Sequence, residues 1–179
     1  MPRYMIELLQ RYYHCLGYYV RISIPIPYKK RIHGVEKTFY KFLDLAALND
    51  RELLLIECKS FKNVKNLRAA LERVCRFYDY VDEALKSSFS ISHTITVRKL
   101  MFVEDDDLER LKPYSKILQK CGIEIQGLSS IVDELLKCSI REQELRKTRG
   151  EGDIVLSIIA FLIRSLNKAK SSLVHERHT

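Results

Sequence analysis

The stretch FLDLAALNDRELLLIECK, Phe42 to Lys59, holds two apolar runs joined by a short polar one, and its reading decides the fold. Runs of this length, rich in Leu and Ile and separated by Asn49-Asp50, predict two strands, 38–48 and 52–59, joined by a tight turn. With the turn centred on Asp50-Arg51, Asp44 falls opposite Glu57, their β-carbons about 5 Å apart. Lys59, two residues beyond Glu57, points to the same face. Leu43, Leu45 and Ala47 with Leu54, Ile56 and Cys58 are then expected on one buried face, and Ala46, Leu48, Leu53 and Leu55 on the other. Three ionisable groups converge at one end of a hairpin that is otherwise almost wholly apolar.

Charges at such positions need a reason, because burying an unpaired carboxylate costs several kcal/mol. Two adjacent carboxylates also repel each other unless a divalent cation neutralises both. Oxygen ligands on a rigid strand pair suit Mg²⁺, with Mn²⁺ as a substitute. Such an ion lowers the pKa of bound water and polarises a phosphodiester, and a neighbouring lysine can orient the nucleophile and stabilise developing charge. A buried Asp-Lys-Glu cluster that only holds the hairpin together accounts for the same residues. The chemistry alone leaves both readings open.

Outward from the hairpin, Met5, Leu8, Leu9, Tyr12 and Leu16 recur at helical spacing, so residues 3–16 form a first helix closed by Gly17. Residues 18–24 read as a strand ended by Pro25 and Pro27, and 28–37 as an exposed loop or hairpin tip around Gly34. Beyond Lys59, Val64, Leu67, Leu71, Val74, Tyr78, Val81 and Leu85 make one stripe on a helix of about six turns. A polar loop follows at 87–94, then a strand at 98–103. Next come a helix capped by Asp106 or Asp107 and running to about Lys120, and a strand at 122–126. Helices near 129–147 and 153–168 complete the chain. Strands joined first by turns and later by helices indicate an α/β fold, a mixed central sheet covered on both faces.

Asp44, twelve intervening residues, then Glu57-Cys58-Lys59 resembles the signature of the PD-(D/E)xK nuclease superfamily. Its members include restriction endonucleases, archaeal Holliday-junction resolvases and RecB-type nucleases. The resemblance covers residues 3–127 and implies a restriction endonuclease-like α/β/α core with a helical C-terminal extension. It implies Mg²⁺-dependent hydrolysis of DNA phosphodiesters, RNA being left open. Asp44 and Glu57 would bind the metal, the backbone carbonyl of Cys58 would be a further ligand, and Lys59 would assist the attacking water. Several relatives add an acid from the first helix, for which Glu7 is the candidate. Helical spacing sets Glu7 nearly opposite the apolar stripe, where pairing with Arg11 is the plainer role. Leu43 replaces the proline of the superfamily name, and Arg73-Val-Cys-Arg-Phe77 stands where RecB-type members carry Gln-x-x-x-Tyr. The alternative reading is a nuclease-fold protein that binds nucleic acid without cutting it.

A formal charge of +8 on 179 residues favours an anionic partner. Lys29, Lys30, Arg31, Lys37 and Lys41 crowd the stretch before the hairpin, with Tyr28, Phe39 and Tyr40 among them. A second group, Lys62, Lys65, Arg68, Arg73 and Arg76, begins just beyond Lys59. Both groups flank the expected metal site, so phosphate contacts with DNA are expected of them, a solvated face being the plainer alternative. The acidic run at 104–107 is expected to end a strand and cap the next helix.

Five scattered cysteines without a CxxC pair read as reduced thiols in a cytoplasmic protein, and they exclude a zinc or iron–sulfur cluster. Scarce Asn and Gln beside abundant charge suggest a thermophilic, archaeal-type source. No segment is long and apolar enough to cross a membrane. Between Ile154 and Ile163 only Ser157 is polar, so that helix needs cover on every side. The chain therefore reads as a nuclease core, 1–127, and an extension, 128–179, that pairs with a second copy in a homodimer.

Overall fold

A computed structural model describes residues 3–88 and 95–146, with side chains described at 3–86 and 95–138. The chain forms α1 (Arg3–Cys15), β1 (Tyr19–Ile32), β2 (Val35–Leu48), β3 (Glu52–Lys59), α2 (Leu67–Ser88) and β4 (Thr96–Val103). It continues as α3 (Asp105–Leu111), a 3₁₀ turn (Lys112–Tyr114), α4 (Ser115–Lys120), β5 (Ile123–Gly127) and α5 (Ser129–Arg146). One sheet holds all five strands in the order β1-β2-β3-β4-β5, antiparallel as far as β3 and parallel beyond it. This is the mixed α/β architecture expected, with helices as the connections wherever strands run parallel.

The first compact unit is Met1–Ser130, so its boundary falls just inside α5 rather than at 127. A second unit begins at Ile131, and of it the structure describes the rest of α5. The expected helix at 153–168, and the dimer interface built on it, lie outside the described residues. Among the described residues no helix is long and apolar enough to cross a membrane.

The β2–β3 turn forms as its residues dictate. The Asn49 side chain accepts the backbone N–H groups of Arg51 and Glu52, both at 2.8 Å, and fixes the register that pairs Leu45 with Ile56 and Ala47 with Leu54. At the other end of β2, His33 and Gly34 both take positive φ, 49° and 80°, the geometry of a tight hairpin turn. Gly17, at φ 84°, closes α1: its N–H reaches the His14 carbonyl and that of Tyr18 reaches Tyr13. The buried stripe of α1 ends on Tyr13 rather than on Tyr12 and Leu16.

Two expectations for this region are overturned. β1 does not end at Pro25 but continues through Pro25 and Pro27 to Ile32, pairing with β2 as far as Val35, so the basic stretch is a long hairpin arm. Both prolines are tolerated because β1 is an edge strand, with one side of its backbone unpaired. Nor do Leu43 and Leu45 share a face. Leu43 packs with Ile24 and Ile26 in the core beneath α2, together with Leu55, Met101 and Val103, while Leu45 is buried outside that core. The break lies at Asp44 and at Ser23 opposite it. Ser23 has φ 53°, and the pair is missing from a ladder that holds on both sides, Ile22 to Leu45 and Ile24 to Leu43. A strand residue forced to positive φ turns its neighbours over, and the side-chain alternation restarts there.

The second buried set, Val20, Leu45, Ala47, Leu54, Ile56, Cys58, Leu100 and Phe102, lies on the other face of the sheet. There α1, which contacts β1 and β2, buries Met5 and Leu9. On the α2 side, Asn66 caps the helix by accepting the Ala69 N–H at 3.0 Å, so Val64 packs on the core ahead of the helix instead of within it. Tyr78 anchors α2 to the sheet, its buried hydroxyl shared between the carbonyls of Leu55 at 3.0 Å and Leu100 at 2.7 Å. The expected polar loop at 87–94 falls mostly outside the described residues, α2 extending to Ser88.

The cysteines depart from expectation as well. Cys75 of α2 and Cys121 after α4 form a disulfide, their Cα atoms 5.7 Å apart although 46 residues separate them in sequence. Cys58 is a buried free thiol. Sequence spacing carries no sign of such a bridge, because folding α4 back against α2 is what brings the two sulfurs together.

Candidate metal site and substrate cleft

Asp44 and Glu57 end up side by side because the β2–β3 register continues towards them, yet the backbone ladder stops one pair short, at Leu45–Ile56. The carboxylates take over its hydrogen bonds. Asp44 Oδ2 accepts the Cys58 N–H at 2.7 Å, and Glu57 Oε1 accepts the Asp44 N–H at 3.3 Å. Each side chain thus gives one oxygen to a backbone N–H of the other strand. Lys59 joins them, in direct contact with Glu57 Oε2 and 3.8 Å from Asp44 Oδ2, the oxygen that also accepts the Cys58 N–H. The alternation of β3 and the kink at Asp44 together bring these three groups into one cluster.

The cluster is short of positive charge. Asp44 and Glu57 are only 7% and 2% exposed and share one ammonium group. Burial pushes the Asp44 carboxyl above its ordinary value, against the pull of Lys59 and the Cys58 N–H. Burial also raises Glu57, to about 7, with the negative charge of Asp44 adding to the rise and Lys59 opposing it. Lys59 is depressed by burial, but Glu57 and Asp44 outweigh that and hold it above the usual lysine value. Burial pushes the Cys58 thiol up to about 12, so it is no nucleophile at neutral pH.

Lys59 and Glu57 form part of the wall of a cleft of about 450 Å³. Lys41 and Phe42 of β2 supply another part of the lining, and Arg73 and Phe77 of α2 a third. Lys41 is held over two tyrosine rings, 5.2 Å from the centroid of Tyr28 and 5.0 Å from that of Tyr80, which stack on each other. The chain leaving Lys59 is pinned from α3. Asp107, 1% exposed, accepts the Phe61 N–H at 2.6 Å, and Arg110 bridges Asp107 to the Phe61 carbonyl. The sequence showed Asp107 only as part of an acidic run. Glu104, not Asp106 or Asp107, stands at the cap position of α3, where its carboxylate makes no capping hydrogen bond and instead meets Lys62 and Tyr4.

No protein-family model matches this sequence, and no curated protein matches it either. Among solved structures, the chain is similar to an XisH family protein from Nostoc punctiforme PCC 73102, with a TM-score of 0.43 and 11% identity over 70% of this chain and 91% of that one. At that level of likeness the site is read from its own residues.

The remaining candidates divide. Glu7 is exposed and paired with Arg3 at 3.1 Å, not with Arg11, and among the described residues no third acid, His or Cys joins Asp44 and Glu57. Lys62 is tied to Glu104 at 2.6 Å and Lys29 to Glu36 at 3.0 Å. Lys30 and Lys37 face each other across the hairpin arm, Arg31 faces Glu36, and Lys65 is exposed. Of the cations expected to touch DNA, Lys41 and Arg73 are the two that line the cleft, and among the described residues neither has a carboxylate partner.

Proposed function

We propose that the cleft hydrolyses nucleic-acid phosphodiesters, DNA first, as a PD-(D/E)xK-type nuclease dependent on Mg²⁺. The observation that carries this reading is the buried pair Asp44 and Glu57, aligned by backbone N–H groups and left with a single ammonium between them. Oxygen donors short of one positive charge fit a small divalent cation, which binds readily through one or two carboxylates with water and phosphate completing its shell. Asp44, Glu57 and the carbonyl of Cys58 would hold the ion. When bound, Mg²⁺ lowers the pKa of water and polarises the phosphate.

The protein's own groups supply the rest. The ion's charge on Glu57 would weaken the hold on Lys59, whose ammonium is then available to orient the attacking water and to offset charge developing on phosphorus. Lys41 and Arg73 attract phosphates into the cleft from the sheet and helix sides. Asp107 and Arg110 hold Phe61, where the turn after β3 begins, and with it the end of β3.

The test is cleavage of single-stranded, duplex, flapped and four-way-junction DNA with Mg²⁺ and with EDTA. Wild type should cut at least one substrate in Mg²⁺ only, and Asp44→Ala, Glu57→Ala and Lys59→Ala should each lose activity while remaining folded. Cutting by Glu57→Ala at the wild-type rate would remove the assignment. Binding without cutting by the wild type would leave the cluster as the ion pair that Lys59 and Glu57 already form.

A further inference from the structure

Alternation along the hairpin arm divides its cations between two faces, and the two faces are not alike. Ile26, in the core beneath α2, pairs with Lys41; Tyr28, stacked on Tyr80 of α2, pairs with Phe39; Lys30 pairs with Lys37. Residues directly opposed in an antiparallel pair share a face, and so do residues two apart in a strand. Lys30, Lys37 and Lys41 therefore all stand on the α2 side, the side of the cleft that Lys41 lines. Lys29 and Arg31 stand on the outer face with Glu36, the one carboxylate in the sequence between Ile24 and Leu43. Glu36 holds Lys29 at 3.0 Å and lies opposite Arg31. The outer face carries its own counter-charge, and the cleft face of the arm carries none.

Lys30 and Lys37 are exposed and directly opposed, an unfavourable pairing, and among the described residues neither has a carboxylate partner. One anion spanning the two ammonium groups removes the repulsion. From their rung to that of Lys41 is four residues of strand, about 14 Å. That is the axial rise of about four nucleotides in one strand of a duplex. Beyond Lys41 the positive lining continues in the cleft with Arg73 and Lys59. Cations without acids, spread over several nucleotides' length and leading to a site suited to Mg²⁺, fit a polymer that carries one negative charge per repeat.

We propose that the α2-side face of the arm is a docking track for the phosphate backbone of the strand being cut. The substrate class is then a polynucleotide that continues about four nucleotides past the cleavage point on one side. The cleavage point rests on the nuclease reading; the track is a property of binding.

Fluorescence anisotropy in EDTA, where no cleavage intervenes, tests the track with mixed-sequence DNA, single-stranded and duplex. Because Lys30 and Lys37 share one phosphate, Lys30→Gln with Lys37→Gln should weaken binding about fivefold and lower the slope of log K against log salt by about one. Lys29→Gln with Arg31→Gln removes the same charge from the outer face and should cost less than about twofold. The first variant loses a repulsion, so it should melt no lower than wild type. Equal losses for the two variants would reduce the effect to net charge and overturn the track, as would no loss for the first. Polyglutamate competing as well as DNA at equal charge would also overturn it, making the partner an acidic polypeptide. In Mg²⁺, a cleaved substrate is then trimmed from each end in turn. Fewer than about four nucleotides on one side should slow wild type as much as Lys30→Gln with Lys37→Gln slows cutting of the full length, and should slow that variant no further. Trimming that slows both proteins alike would overturn the proposed footprint. No cleavage of any DNA, with the binding difference intact, would overturn the nuclease reading and leave the track standing.

Discussion

Lys59 touches Glu57 across two residues of β3, and the same ammonium stands 3.8 Å from Asp44, so one cation serves two buried carboxylates. The two sides of this arrangement are unequal. Losing Lys59 strands two negative charges, whereas losing the Glu57 charge leaves a balanced Asp44–Lys59 pair. In metal-free buffer near pH 8, Lys59→Met should cost about 2–3 kcal/mol, less than the 3–5 kcal/mol of a fully buried pair because 34% of the Lys59 side chain is exposed. Glu57→Gln should cost far less. Urea denaturation of the two variants compares them directly, and equal losses would contradict the count of charges.

The pH dependence follows from Glu57, raised by burial from an ordinary 4.5 to about 7. Between those values the folded protein holds a proton that the unfolded chain releases, so the folded state is favoured at low pH and loses that advantage as pH rises. Metal-free protein should therefore lose on the order of 2–3 kcal/mol between about pH 4.5 and 7 relative to Glu57→Gln. Added Mg²⁺ should reverse the trend, because it competes with the proton and binds more tightly as pH rises. Denaturation at several pH values, with and without Mg²⁺, reads both slopes; parallel curves for wild type and Glu57→Gln would show that Glu57 ionises normally.

Asp107 should matter more than its place in an acidic run suggests. Asp107→Ala leaves the buried Phe61 N–H without an acceptor and frees Arg110, at a cost of about 2–3 kcal/mol. Because Phe61 follows the strand end that carries Lys59, cleavage should fall by more than the folded fraction does. Cleavage rates measured well below the melting temperature separate the two effects. A full rate there would make Asp107 purely structural.

Lys41 and Arg73 should outweigh the arm-tip cations in electrostatic binding, because they line the cleft without acidic partners among the described residues. Arg73→Ala should weaken binding similarly across sequences and reduce the slope of log K against log salt by about one. Lys29→Ala, which also releases Glu36, should change the slope less. Titrations over a range of salt concentrations check both, and an unchanged slope for Arg73→Ala would place its guanidinium away from phosphate.

What was legible in the sequence was whatever depends on local chemistry. The register that brings Asp44 to Glu57 followed from a tight turn and two apolar runs, and α2 followed from its stripe. Features set by distant contacts were hidden. Nothing in the residues around Ser23 announces a positive φ, so the restart of alternation at Asp44, and with it the place of Leu43, could not be read. Pro25 and Pro27 look like strand breakers until β1 is known to be an edge. Cys75 and Cys121 meet only after α4 folds back, and Asp107 acquires its role from Phe61, 46 residues earlier. The arm's aromatic residues were visible as letters, but which of them are covered depends on which face α2 occupies.

Pro25 and Pro27 have a consequence beyond tolerance. Two residues apart in β1, they remove amide donors that would point the same way, and the ladder to β2 holds on either side of them, so the missing donors belong to the open edge. An exposed edge of 14 residues would otherwise be a template for a further strand from a neighbouring molecule. With two successive anchor points deleted, recruitment there fails in the middle. A long arm can then project into solvent in a concentrated cell without seeding fibrous aggregates.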